Sequence, residues 1–182
     1  MKIRKNLQFA MVMVSVPWLV YLINSVVPVD LRLYCLRPRH VDGLWGIICA
    51  PLLHVNYSHL IANSGALLIL LIAALAYSRK LTFTAILIIA VLGGGLVWIF
   101  GKENTIHIGA SGIIFGLIGF LIFMGLFRRE WRALAVSLAI FFLYGGAILS
   151  LLYGIPGISW EGHAFGFLSG VLAAGWTKSQ KR

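Results

Sequence analysis

Along this chain charged residues come in clusters, and between the clusters lie stretches that are almost wholly apolar. Six such stretches stand out: Leu7 to Val27, Tyr57 to Ser78, Leu81 to Gly101, Thr105 to Phe127, Ala133 to Tyr153, and Trp160 to about Thr177. Each is close to the roughly 20 helical residues that cross a hydrocarbon layer of about 30 Å. Lipid offers backbone amides no partners, so runs of this length are helices. A closed barrel would need polarity alternating residue by residue, which these runs lack. The pattern predicts an all-α, polytopic membrane protein: one domain over residues 1–182, built from six transmembrane helices at 7–27, 57–78, 81–101, 105–127, 133–153 and 160–177.

Composition agrees with the pattern. Of 182 residues, 60% are hydrophobic and 11% charged, against about 25% charged in an ordinary soluble domain. A soluble globular enzyme, a disordered chain and a disulfide scaffold are all excluded. The net charge of +10 would raise the question of nucleic acid in a soluble protein, but here it is explained by topology. With both termini in the cytoplasm, that side holds eleven basic residues (Lys2, Arg4, Lys5, Arg79, Lys80, Arg128, Arg129, Arg132, Lys178, Lys181 and Arg182), and the outside holds four (Arg32, Arg37, Arg39 and Lys102). That is the positive-inside bias, and no nucleic-acid partner is needed. The first stretch lacks a convincing A-x-A cleavage site and is expected to be a retained span. One long loop, Pro28 to Leu53, faces outward and carries Cys35 and Cys49, which either pair or are simply buried.

Polar residues within the spans carry the functional information, because such groups are costly at membrane depth. Three sets lie at the ends that the charge count places outside. They are His54, Asn56, Tyr57, Ser58, His59 and Asn63 at the second span; Gly109, Ala110, Ser111 and Gly112 at the fourth; and Glu161, Gly162 and His163 at the sixth. A hydroxyl, a base and amide or imidazole donors are the inventory of a nucleophilic hydrolase.

Their order and spacing resemble the rhomboid family of intramembrane serine proteases. Gly109-Ala110-Ser111-Gly112 matches the family's G-x-S-G at the start of its fourth helix, and Gly162-His163-Ala164-Phe165-Gly166 with Gly170 matches its sixth-helix histidine and small residues. His59-Leu60-Ile61-Ala62-Asn63 matches the second-helix H-x-x-x-N, with His54 as the further histidine that often precedes it. The resemblance covers all six spans. It implies a Ser111–His163 dyad, an oxyanion site from Ser111, His59 and Asn63, no cofactor, and membrane-protein substrates, single-span or polytopic, cut near the outer face. Two departures stand out: Gly46 follows Trp45 where the family's first loop has a W-R pair, and Phe115 occupies a place often held by tyrosine. A six-span chain with short ends also resembles bacterial members and is expected in the cytoplasmic (inner) membrane, multi-pass, with both termini inside.

The residues support those roles independently. Gly112, Gly116 and Gly119 form a stripe beside Ser111, and Gly166 and Gly170 continue the face of His163, a pattern that lets two membrane helices approach closely. By themselves these glycines are also consistent with packing alone. Ser111 at a helix start can offer free N–H groups to an oxyanion, while a serine deeper in a span would more often bond back to the helix. His59 and Asn63, one turn apart, are either donors or an interhelical clamp. Glu161 does not share the face of His163, so a dyad rather than a triad is expected. The nucleophile elbow G-x-S-x-G of soluble hydrolases fails at Ile113. No H-E-x-x-H accompanies His54, His59 and His163, so no metal is expected. His40 and His107 are expected to be solvated or interfacial. The resemblance also implies substrate entry by movement of the fifth helix or the loop before the sixth, where Gly145, Gly146, Gly154 and Gly157 stand. A noncatalytic rhomboid-like client-binding protein and a small transporter remain as alternatives, the latter without a midplane site or inverted repeat to support it.

Overall fold

The computed structural model describes residues 2–149, 151 and 159–180. Among them no strand forms beyond one isolated bridge, Leu36 with His107. Six long helices account for most of the chain: α1 Lys2–Val26, α2 Tyr57–Tyr77, α3 Arg79–Phe100, α4 Ser111–Arg128, α5 Trp131–Leu149 and α6 Trp160–Thr177. Five of them are long and apolar enough to span a membrane. The sixth, α6, equals α4 in length but is less apolar, because Glu161, His163, Ser169 and Thr177 stand in it. Gly154, Pro156 and Gly157, expected to end the fifth span, lie outside the described residues.

α4 is the axis of the bundle, with 67% of its length buried against 17% for α1 and for α5. α2, α3, α5 and α6 all pack on it, while α1 packs on α2. Its contact with α6 is the closest. A Cβ on Gly170 would collide with the Gly116 carbonyl, and one on Gly166 with the Gly112 carbonyl. The glycine stripes read from the sequence therefore face one another, backbone against backbone, as membrane helices pack when side chains are small.

The far end of this pair is closed by a cation. Arg128, its side chain 5% exposed, donates to the carbonyls of Thr177 and Gln180 at the end of α6, lies over the Tyr77 ring at 5.7 Å, and faces Glu130 at 3.7 Å. Ser78 alone separates α2 from α3. Its N–H closes α2 on Ala74 and its side chain caps α3 at Leu81. Within α3, residues Ile89–Gly93 form a π turn before the α-helix resumes at Gly94.

The long loop between α1 and α2 is built of short helical turns, Leu31–Tyr34, Asp42–Trp45, Gly46–Cys49 and Ala50–Leu52. It lies over the end of α3: Arg39 donates to the Ile99 and Gly101 carbonyls at 3.2 and 2.9 Å, and the Trp98 indole donates to His40 at 2.8 Å. Gly46 is wedged against the backbone of Cys35 and Leu36, where a Cβ would collide. Close backbone packing thus takes the place of the arginine expected after Trp45, and Arg37 pairs instead with Asp42 at 2.7 Å. Both cysteines are free, Cys35 buried and Cys49 half-buried.

The fourth span begins later than predicted. Residues 105–110 are not helical, because Leu36 and His107 exchange both backbone hydrogen bonds, at 2.9 and 3.1 Å, and hold the segment extended.

Because Gly170 has no room for a methyl group and Gly145 has nothing within 4 Å, the same substitution acts oppositely at the two. Gly170→Ala is expected to lower unfolding stability in detergent by about 1–3 kcal/mol. Gly145→Ala is expected to be neutral or stabilising through helix propensity. Equal thermal midpoints for the two variants would contradict this packing.

Candidate active site

Three helices start at the same end of the bundle and deliver the polar residues there. Asn56 caps α2 by accepting the His59 N–H at 2.8 Å, and Ser159 caps α6 by accepting the Gly162 N–H at 3.2 Å. α4 has no side-chain cap: Ala110 stands at its N-cap position. Its first-turn N–H groups, beginning at Ser111, are left without the side-chain acceptor that the neighbouring helices have.

The bend that starts α4 is made at Gly109, with φ +112°. That conformation suits glycine, and space requires glycine as well. A Cβ there would sit 2.8 Å from His59 Nε2 and 3.2 Å from Asn63 Nδ2. The His59 and Asn63 side chains are therefore pressed against the turn that presents Ser111. The Gly109 N–H is tied to the Ala50 carbonyl at 2.9 Å.

His54 lies behind them. Its ring meets that of His59 edge-on at 5.1 Å, and its Nε2 is 3.0 Å from Asn63 Nδ2. The amide donates, so Nε2 accepts and the imidazole is neutral; the second hydrogen of Asn63 Nδ2 remains for another acceptor. His54 is buried, and burial, followed by the charge of His59, pushes its pKa down from 6.5 to about 4.

On the α6 side, the His163 ring stacks on Phe115 at 4.1 Å with 10° between planes. Phe115 is one turn beyond Ser111 on α4, so the imidazole lies on the face that carries the serine. Among the described residues no hydrogen bond joins Ser111 to His163. The structure brings the two to one face without closing that bond, as is common before substrate binds. Phe115, in place of tyrosine, serves through its ring face alone.

A cavity of about 70 Å³ opens beside Ser111 and runs between α3, α4, α6 and the loop that joins α1 to α2, with Gly93, Gly112, His107, Ser159 and Gly166 on its walls. Sequence spacing alone does not mark His107 and Ser159 as site residues. His107 was expected to be solvated or interfacial, but it is 7% exposed, because its strand-like pairing with Leu36 draws it under the loop. Its burial lowers its pKa, opposed in part by Glu161. The sequence signal was its place four residues before Ser111.

The Rhomboid domain model matches residues 41–181. An uncharacterized protein of Mycobacterium tuberculosis, Rv1337, is 42% identical over 171 residues, covering 88% of this chain and 70% of its own. An uncharacterized Mycobacterium leprae protein, ML1171, is 40% identical over 168 residues, with 86% and 65% covered. The Bacillus subtilis protein named "Putative rhomboid protease YdcA" is 34% identical over 133 residues, with 70% and 64% covered.

Folding keeps His54 neutral, while the unfolded chain takes up a proton below about pH 6.5. The unfolded state therefore binds more protons between about 6.5 and 4, and stability falls as pH drops through that window. His54→Gln, which leaves Asn63 an acceptor, is expected to flatten this fall. Unfolding midpoints at pH 7 and 4.5 that drop equally in both proteins would refute it.

Proposed function

The chain belongs to the rhomboid family, a family of intramembrane proteases, and from that premise we propose that it is a serine endopeptidase that cuts transmembrane segments of other membrane proteins with Ser111 and His163. The observation that carries this reading is the stacking of His163 on Phe115, one turn from Ser111, with His59 and Asn63 packed on the other side of the same turn.

Ser111 Oγ attacks the scissile carbonyl as His163 takes its proton, and His163 then returns that proton to the leaving amine. The developing oxyanion is met by the Ser111 N–H at the uncapped start of α4 and by Asn63 and His59. Water hydrolyses the acyl-enzyme. The substrate helix unwinds locally to expose its peptide, which glycine, alanine or proline near the cleavage point would ease. The site faces the outer side and both termini the cytoplasm, in keeping with the eleven basic residues on that side. Substrate reaches the site past α5 or the loop before α6. Gly145 and Gly146 in α5 have open space around them, while Gly154 and Gly157 fall outside the described residues.

A fluorophosphonate probe on purified protein in mild detergent tests the reading. Wild type is expected to label, and Ser111→Ala and His163→Ala are expected to lose labelling and cleavage of a model transmembrane peptide by at least about 1000-fold while staying monodisperse and helical. Asn63→Ala is expected to cost about 100-fold in kcat. Cleavage that persists in Ser111→Ala would refute the assignment, and a wild type that neither labels nor cleaves would point to noncatalytic client binding.

A further inference from the structure

His107 and Ser159 have no part in the chemistry above, yet their places mirror it. His107 lies four residues before Ser111, and Ser159 lies four before His163. They are hydrogen-bonded to each other, His107 Nδ1 to Ser159 Oγ. On the other side of the ring, Nε2 is 3.1 Å from Thr105 Oγ1.

The flanking groups set the direction of every bond. Thr105 donates its one proton to the Lys102 carbonyl at 2.6 Å, so toward His107 it accepts, and Nε2 carries the hydrogen. Nδ1 is then bare and accepts the Ser159 hydroxyl proton. Ser159 in turn accepts the Gly162 N–H at 3.2 Å. One chain of donors runs from Gly162 at the start of α6, through Ser159, His107 and Thr105, to Lys102 just beyond α3. The glycine contacts of α4 and α6 begin at Gly112, where a Cβ would lie 3.5 Å from the Gly162 carbonyl, tighten at Gly166 and run away from the site. Above them, the segments that present Ser111 and His163 are joined through this chain.

We propose that His107 and Ser159 are a positioning pair that fixes the start of α4, with Ser111, relative to the start of α6, with His163. The proposal rests on the serine-protease reading. Neither residue makes or breaks a bond in the reaction, although both line the cavity beside Ser111. The pair aligns nucleophile and base, so its loss falls on the chemical step and not on substrate binding.

The test compares wild type with His107→Leu, Ser159→Ala, Ser159→Thr and the double variant His107→Leu with Ser159→Ala, by fluorophosphonate labelling rate and by kcat and KM on a transmembrane peptide. His107→Leu leaves the cap of Ser159 on Gly162 in place, so cap loss and loss of the pair are separated. Each of the two single losses is expected to slow labelling and kcat about ten-fold with KM within about two-fold. The double variant is expected to be no slower than the worse single, and Ser159→Thr, which keeps the hydroxyl, to stay near wild type. Labelling at the wild-type rate in folded His107→Leu, multiplied losses in the double variant, or a change confined to KM would each overturn the pair. Should His107→Leu fail to fold, a deficient Ser159→Thr would still overturn it and an unimpaired one beside a slow Ser159→Ala would support it. Unlabelled wild type overturns the protease reading itself, whereas labelled wild type with indifferent variants overturns the pair alone.

Discussion

The contact of α4 with α6 at the level of their backbones is the constraint on which the rest of the molecule depends. Between lipid tails two apolar helices gain little by hiding from solvent that is not there, and close van der Waals packing and hydrogen bonds must hold them. Gly112 and Gly116 on one helix and Gly166 and Gly170 on the other supply the packing, and Arg128, donating to the carbonyls that end α6, supplies the polar link at the far end. A serine and a histidine have short reach. They can share a proton across two helices only if those helices nearly touch, so the same glycines that hold the bundle set the geometry that the proposed dyad requires.

The site also depends on direction. α2, α4 and α6 all begin at one end, so three helix starts bring their exposed N–H groups and their partial positive charge to one place. Two of those starts are satisfied by Asn56 and Ser159, and the one that carries Ser111 is not. An uncapped helix start is a cost in most settings, and beside a nucleophile it is a ready place for developing negative charge. Polar groups gathered at helix starts also stay near the membrane surface, where water lowers the cost of keeping them.

The spans were legible because lipid leaves the chain few choices: a long charge-free run is a helix, and five of the six are apolar enough to be recognised on composition alone. Ser111, His163, His59 and Asn63 were legible through their spacing, and the structure groups them at one end. The start of α4 was not. Ile106, Ile108 and Ala110 read as a continuation of the span, and only the distant pairing of Leu36 with His107 explains why these residues stay extended. His107 was misplaced for the same reason, since nothing local signals that a loop from seventy residues earlier covers it. Gly46 reads in the sequence only as a departure beside Trp45, and the proximity of Leu36 shows what its missing side chain makes possible.

The π turn at Ile89–Gly93 carries a consequence for how this chain tolerates change. A wide turn holds one residue more than the α-helix needs, and each helical residue turns the chain by about 100°. Deleting one residue there would restore regular hydrogen bonding and leave Gly94 to Phe100 facing as they do, whereas deleting one from the regular turns before it would rotate everything up to Phe100 relative to the bundle. The Ile99 and Gly101 carbonyls would swing away from Arg39, and Trp98 away from His40. The loop between α1 and α2 would lose its footing although no residue of the loop had changed. The wide turn is therefore the one place among the described residues of α3 where the helix can lose a residue without disturbing the loop.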